Sequence, residues 1–510
     1  MPVNWRGSKQ ELKDELLRRS GGERLWQTLQ GRVYGFGMEK AVLFPGVAPF
    51  LMRSRYRGDE MFIVSHKTEY GHFDSTKTPL REAALTWMES RGFFEKSRFG
   101  LAKENVFFEE TRSKKVDQIA QLKLDIFIDD LEEVFSEEGF PPITKLLFNV
   151  KAKGRNHDLH CNNWSDIGEH ILGPVPDVDC KRLAQTFCPE HIDSVTRLLG
   201  HGNSRTYQVL TNTSKSYCLK SYPDQLVDPR PRLRNEVNAC NLLEDLRLTP
   251  RSVAHDEELN LALFEWIDGD PPGSITTKHI GQALSFVKKL KAIPEDVQNN
   301  YPEASEACLS GAQLISQVQE RIENLESIDN MELQQFLKIS IRPLWQETRK
   351  WFGDNWPNIS FETKLVDSRQ TLSPSDFGFH NSLQRADGSL WFVDLEYFGR
   401  DDPVKLITDF LWHPAMNLQD AHKTQWSKGV FEIFSQDLEL RQRFRAAWPA
   451  YALRWALIML NEFLQEGWRK RIYAKPELEH ERDNVQQHQL LKAAKICERV
   501  RGEKLECPYV

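Results

Sequence analysis

The sequence predicts an α/β region followed by a two-lobed α+β region, and three observations carry this. Residues 1–152 alternate short apolar strands with helical patterns. Residues 191–268 contain closely spaced strands around one helix, and residues 269–500 are dominated by long helical patterns. Between these regions, residues 153–190 are polar and irregular, with Gly173-Pro174-Val175-Pro176, and read as a linker with some short helix. At ~100–200 residues per domain, a chain of 510 residues accommodates two large domains, each able to bury its own core.

In the first region Glu11 to Arg19 is a charged amphipathic helix. Met61 to Val64 is a short apolar strand that ends in Ser65. Pro79 to Ser90 is a helix with proline near its first turn. Asn105 to Phe108 is a strand, Lys114 to Leu122 a helix, and Asp125 to Ile128 a strand that ends in Asp129-Asp130. Lys145 to Phe148 is a further strand. Strands alternating with helices imply a parallel sheet covered on both faces, with chemistry just past the C-terminal strand ends. Ser65, Asp129 and Asp130 lie at such ends.

The composition excludes several classes. A net charge of -7 leaves no footprint for non-specific nucleic-acid binding. No window reaches the ~18 apolar residues of a membrane helix. The closest run, Tyr451 to Leu464, is interrupted by Arg454 and Asn461 and reads as a buried or amphipathic helix. Met1 to Leu12 has no apolar core and is no signal peptide. The eight cysteines are scattered without a C-x-x-C pair, which points to reduced thiols and a cytoplasmic protein. His157, His160 and Cys161 lie close together, but no second cluster completes a tetrahedral metal site, so they read as a polar segment.

Within residues 191–268, strands are expected over Val195–Leu199, Thr206–Thr211 and Tyr217–Ser221, then a helix from Pro231 to Leu246. Gly200-His201-Gly202-Asn203-Ser204 joins the first two strands. Glycines lacking Cβ let backbone N–H groups approach phosphate oxygens, although such a segment alone is equally a plain turn. Lys220 sits on an apolar strand and Glu236 on the following helix. Singly they read as solvated charges; together they match the strand-lysine/helix-glutamate pair of kinases.

The most specific feature comes later. Asp376 and Asn381, in Ser375-Asp376-Phe377-Gly378-Phe379-His380-Asn381, have the D-x-x-x-x-N spacing of a kinase catalytic loop. Asp387-Gly388 then makes a hairpin turn, and Asp394 ends the apolar strand Trp391-Phe392-Val393. Phosphoryl transfer needs an acceptor hydroxyl held in line and metal to spread charge. Asp376 is suited to orient and partly deprotonate the hydroxyl. Asn381 and Asp394 are suited to hold Mg²⁺ through oxygen.

Residues 190–500 thus resemble the aminoglycoside-phosphotransferase/choline-kinase superfamily. Pro374-Ser375-Asp376 through Asn381 resembles its H-G-D-x-x-x-x-N motif, with proline in place of the leading histidine. Val393-Asp394-Leu395-Glu396 resembles its I-D-x-E motif. Asp402-Pro403 through Asp409-Phe410 resembles the stretch that follows. The resemblance implies a bilobal protein-kinase-like fold, ATP and Mg²⁺ as cofactors, and a small hydroxyl-bearing acceptor. It implies ATP contacts from Gly200, Gly202, Ser204, Lys220 and Glu236. In Leu263-Phe264-Glu265-Trp266-Ile267 it implies adenine contacts from the backbone of Glu265 and Ile267. Lys405, Arg400, Arg454 and Arg469 read as structural or solvated cations rather than acceptor contacts.

The first region resembles a haloacid-dehalogenase-like (HAD) phosphatase domain, a Rossmann-like parallel-sheet fold. The resemblance assigns Ser65 to the hydroxyl that holds a phosphoryl group, Lys115 to the family's lysine, and Asp129 and Asp130 to the Mg²⁺-binding acids. The bland readings are a capping hydroxyl and a helix N-cap pair. The D-x-D nucleophile strand is missing: before Ser65 the aspartates are Asp14 and Asp59, neither at the end of an apolar strand. The aspartyl-phosphate is the mechanism, so no phosphatase activity is expected. Either the chain starts downstream of that strand or the domain has kept only its scaffold; the helix that opens the chain favours the first.

The expected activity is transfer of the γ-phosphate of ATP to a small-molecule hydroxyl, on a sugar, amino alcohol or aminoglycoside-like compound. The alternative is an inactive nucleotide-binding regulatory or scaffold protein, against which the full set Asp376, Asn381 and Asp394 argues.

Overall fold

Pro79, Asn163, Thr276, Ser310, Asn330 and Asp402 each immediately precede a helix, and five of the six accept a backbone N–H there with a side-chain oxygen. Pro79 has no such oxygen and instead holds an extended φ at the helix entry. These stop-and-start signals punctuate a computed structural model that describes residues 9–148, 160–198, 204–226, 228–357 and 361–509. The chain forms two compact units, Met1–Phe187 and Cys188–Val510.

The first unit contains helices α1 (Lys9–Leu17), α2 (Gly22–Tyr34) and α3 (Val47–Arg57), then strand β1 (Ile63–His66) and α4 (Leu80–Ser90). It continues through β2 (Val106–Glu109), α5 (Arg112–Leu122), β3 (Ile126–Asp129), α6 (Glu132–Phe135), β4 (Thr144–Phe148), β5 (His160–Cys161), α7 (Trp164–Leu172) and α8 (Asp177–Gln185). All strand pairings here are parallel, as the alternating pattern predicts. Among the described residues they make two ladders, β1–β2 and β3–β4–β5, rather than one continuous sheet. Helix α5 spans the break: its Val116 and Ile119 share a core with Val64 of β1 and Phe127 of β3.

The expected linker is different from the molecule. Residues 160–187 belong to the first unit, and the division falls after Phe187. Helices α7 and α8 hide Ile167, Leu183 and Ala184. Arg53 of α3 donates to the carbonyls of Gly173 and Pro174 at 2.9 and 3.1 Å and pairs with Asp179 at 3.1 Å. A polar average concealed two short helices, each with one narrow apolar stripe. His157 lies outside the described residues.

The second unit opens with a five-stranded sheet in the order β6-β7-β8-β10-β9. Its strands are β6 (Ile192–Leu198), β7 (Arg205–Thr211), β8 (Ser216–Ser221), β9 (Ser252–Asp256) and β10 (Leu261–Glu265), with helix α9 (Arg232–Leu243) between β8 and β9. Every pairing is antiparallel. A helical body follows: α10 (Thr277–Lys291), α11 (Glu295–Gln298), α12 (Gly311–Glu326), α13 (Met331–Phe336) and α14 (Arg342–Asn355). Then come short strands β11 (Thr371–Ser373), β12 (Ser382–Gln384), β13 (Leu390–Phe392) and β14 (Gly399–Asp401). The chain ends in α15 (Pro403–Trp412), α16 (Asp420–Ile433), α17 (Leu440–Met459), α18 (Gln465–Ala474) and α19 (Arg482–Gly502).

Helix α17 is the axis of this body. It packs against α12, α14, α15 and α19, which buries it on nearly all sides. The apolar run at Tyr451 is therefore core. Among the described residues no helix is long and apolar enough to cross a membrane. All eight cysteines are free thiols.

Candidate functional site

Three short segments of the second unit meet where β8, the turn after β11 and the end of β13 come together. Strand β8 places Lys220 with 7% exposure, its ammonium turned inward. Lys220 Nζ donates to Glu236 Oε1 and Oε2 of α9 at 2.9 and 2.7 Å. It also donates to Asp394 Oδ1 at 2.5 Å. The lysine-glutamate pairing read from sequence is thus formed, and the same ammonium reaches the aspartate expected to hold metal. Tyr222 OH and the N–H of Leu395 also donate to Glu236, at 2.7 and 3.3 Å. Burial pushes the Glu236 carboxyl up to about 7, although Lys220 opposes this. Burial works against the Lys220 charge, but Asp394 and Glu236 outweigh it and hold its pKa well above the usual lysine range.

Asp376 and Asn381 sit on the turn between β11 and β12. Asn381 Nδ2 donates to the Asp376 carbonyl at 3.0 Å and to Oδ2 at 3.2 Å, so the D-x-x-x-x-N spacing closes on itself. With its nitrogen pinned there, the planar amide turns its oxygen away from Asp376. The β12–β13 hairpin sets Ser382 opposite Phe392, and the Val393 N–H donates to the Asn381 carbonyl at 3.0 Å. Asn381 therefore links Asp376 to the segment that carries Asp394.

Two non-glycine residues in this region hold left-handed backbone, Ser375 and Asp394, each with φ of 66°. Such conformations cost ~1–3 kcal/mol each and persist only where surroundings enforce them. Lys405 Nζ donates to Ser375 Oγ at 2.7 Å, and Ser375 Oγ donates to the Ser305 carbonyl at 3.2 Å. Lys220 holds Asp394. Between these residues, Phe377 nails the turn into the core: its ring lies 4.9 Å from Phe392, 5.4 Å from Phe286 and 5.7 Å from Phe410.

Asp376 also receives two imidazoles that the motif reading missed. His380 Nε2 lies 3.0 Å and His413 Nε2 3.5 Å from its Oδ1. Burial opposes the Asp376 charge, yet the His380 hydrogen bond and the neighbouring His413 hold its carboxyl below the usual range. Burial lowers His413 to about 4, so at neutral pH it is uncharged. His380, four residues after Asp376 in a tight turn, was open to inspection in the sequence. His413 was not, because only the packing of α15 brings it there.

Buried ion pairs steady the site. Lys405 lies 3.1 Å from Asp401 and 3.2 Å from Asp409, and Arg454 bridges Asp409 at 3.6 Å and Glu306 at 2.8 Å. Lys405 and Arg454 are thus structural, as expected. Arg400 donates to the Tyr301 carbonyl at 2.9 Å, and Arg469 is exposed. Glu396 accepts from Arg232 at 3.0 Å and from Ser204 Oγ at 2.8 Å. Ser204, expected at phosphate, therefore has its hydroxyl turned to Glu396. Gly200 and Gly202 lie outside the described residues. Glu265 ends β10, with its N–H donating to the Arg251 carbonyl at 2.8 Å, and Ile267 is buried just beyond.

Carboxylate oxygens of Glu236, Asp394 and Glu396 lie within 4.8 Å of one another. Of the three, Asp394 is the most open, with its side chain 24% exposed, against 4% for Glu236 and 3% for Glu396. Asp394 carboxylate and Asn381 amide oxygens are the hard donors that Mg²⁺ prefers. Asp376, His380 and His413 also cluster, with one ligand atom of each within 4.8 Å of the others.

In the first unit, Lys115 Nζ lies 2.5 Å from Asp129 Oδ2, both buried, and the Leu131 N–H donates to Asp129 Oδ1 at 3.0 Å. Ser65 is half-buried on β1 and Asp130 is exposed. Lys115 and Asp129 are brought together; Asp130 takes no part in that pair.

No family model matches the sequence, and no curated protein does. Among solved structures, the choline kinase LicA from Streptococcus pneumoniae is 15% identical, with a TM-score of 0.38 over 61% of this chain and 94% of its own. A spectinomycin phosphotransferase, APH(9)-Ia, in complex with ADP and spectinomycin is 12% identical, with a TM-score of 0.45 over 63% and 99%. An ethanolamine kinase from Plasmodium vivax is 14% identical, with a TM-score of 0.39 over 59% and 89%. These likenesses are distant, and the functional reading rests on the chain's own residues.

Proposed function

We propose that the second unit transfers the γ-phosphoryl group of ATP to a hydroxyl of a small molecule, such as a sugar, an amino alcohol or an aminoglycoside-like compound. The observation that carries this reading is the Lys220 ammonium, held by Glu236 and touching Asp394, one hairpin from Asp376. In this reading Lys220 neutralises nucleotide phosphate, Gly200 and Gly202 supply further phosphate contacts, and the backbone of Glu265 and Ile267 binds adenine. Asp376 accepts the proton of the acceptor hydroxyl. Asn381 and Asp394 hold Mg²⁺, which when bound spreads the charge of the transferring group. Ser204 acts through Glu396 rather than on phosphate.

We read the first unit as a HAD-like scaffold without phosphatase activity. The parallel strands β1–β2 and β3–β5 and the Lys115–Asp129 pair support this. Both oxygens of Asp129 are already occupied by Lys115 and the Leu131 N–H. The free thiols suit a cytoplasmic setting.

ADP release from Mg-ATP, followed with a panel of hydroxyl compounds, tests the proposal. Wild type is expected to turn over and Asp376→Ala to lose on the order of 10²–10⁴-fold in kcat while still binding ATP. Tight ATP binding without turnover for any acceptor supports the regulatory reading instead.

A further inference from the structure

Asp376 can hold only one of its oxygens ready for a reacting hydroxyl if the other is fixed. Asn381 Nδ2 touches Oδ2 at 3.2 Å, and His380 Nε2 fixes Oδ1 at 3.0 Å. His380 is itself weakly tethered: its Nδ1 is buried without a hydrogen-bond partner. The His413 ring stacks on the His380 ring with centroids 3.7 Å apart and planes 2° from parallel.

His413, in contrast, is anchored from three sides. It closes α15, whose remaining residues are all buried. The Ala415 N–H donates to its Nδ1 at 3.2 Å, which leaves the proton on Nε2, facing Asp376. Trp455 meets it edge-on at 4.6 Å and 83°, while Trp455 Nε1 donates to Asp409 Oδ1 at 2.8 Å. Gly378 provides the space: a Cβ there would stand 2.6 Å from His380 Nδ1 and 2.8 Å from Met416 Sδ. Pro374, two residues before Asp376, has no side-chain donor to offer in their place.

We infer that His413 is a positioning residue: its ring is the plate that locks His380, and through His380 selects which Asp376 oxygen faces the acceptor. This rests on the phosphotransfer reading, but one arm of its test does not. His413→Phe keeps a flat ring without nitrogen; His413→Ala removes the plate. For acceptor phosphorylation, His413→Ala is expected to lower kcat by on the order of 10²-fold, with KM for ATP unchanged. His413→Phe keeps the plate but loses the Nε2 that lies 3.5 Å from Asp376 Oδ1, so its kcat is expected to fall between wild type and His413→Ala. Unchanged kcat in His413→Ala, parallel loss of kcat and ATP affinity, or an equal defect in His413→Phe overturns the inference.

The second arm needs no activity. Diethyl pyrocarbonate modification of His380, read by mass spectrometry, is expected to be slow in wild type and His413→Phe and at least about tenfold faster in His413→Ala. Equal rates in all three proteins overturn the locking role. A wild type that phosphorylates nothing yet shows the expected modification rates sinks the phosphotransfer reading and leaves the locking intact.

Discussion

Lys220 Nζ and Asp394 Oδ1 stand 2.5 Å apart, joining a β-sheet strand to the end of a hairpin 174 positions later. The same ammonium satisfies buried Glu236, so three segments depend on one charge.

Lys220→Met is therefore expected to destabilise the second unit by ~3–5 kcal/mol once Glu236 is ionised, because a buried carboxylate then lacks its partner. Glu236 titrates near 7, above its unfolded value, so its ionised form weighs against folding as pH rises through that range. Without Lys220 the value climbs further, and the variant takes up a proton instead of paying for the charge at low pH. Urea denaturation should find the variant closer to wild type at pH 6 than at pH 9.

In the first unit, Lys115→Met alone is expected to cost ~3–5 kcal/mol, because it strands Asp129. Lys115→Met combined with Asp129→Leu should recover much of that loss. A double-mutant cycle on denaturation midpoints checks this; a double variant worse than either single change contradicts it.

Phe377→Ala empties a site walled by Phe286, Phe392 and Phe410, directly beside Asp376. A loss of ~3–5 kcal/mol in stability is expected. Phe377→Leu should keep most of the stability but lower kcat, since the Asp376 turn loses its close fit. Thermal melts and steady-state rates separate the two effects.

Glu306 supplies a pH dependence of the opposite sign. Burial raises its pKa, but Arg454 and Arg321 overcome this and bring it down to about 2. A depressed folded value contributes stability above the unfolded range near 4.5 that is lost as pH falls toward 2. The side chain is partly exposed, so the contribution is about 1 kcal/mol. Glu306→Gln should be less stable than wild type at pH 7 and equal to it near pH 2 in thermal melts.

Local spacing made much of the site legible. Asp376 and Asn381 are five residues apart, and Asp387-Gly388 announces the hairpin that delivers Asp394. Lys220 and Glu236 were readable because strand and helix follow each other directly. Partners set by distant packing were not: Ser204 meets Glu396 across 192 positions, and His413 reaches Asp376 only through the seating of α15 on α17. Arg232 pairs with Asp228 four residues before it, but its second partner, Glu396, is set by distant packing. In the first unit the strands were legible because each is a short apolar run. Residues 160–187 were not, because their apolar positions are diluted by polar neighbours until α3 packs against them.

The central claim is that Asp376, Asn381, Asp394 and Lys220 serve one phosphotransfer centre. Incubating the full chain with γ-labelled ATP, Mg²⁺ and a library of small hydroxyl compounds tests it most directly. Label is expected on an acceptor with wild type and on none with Asp376→Asn or Asp394→Asn. An acceptor labelled equally by wild type and both variants, or by none of the three despite tight ATP binding, would contradict the account.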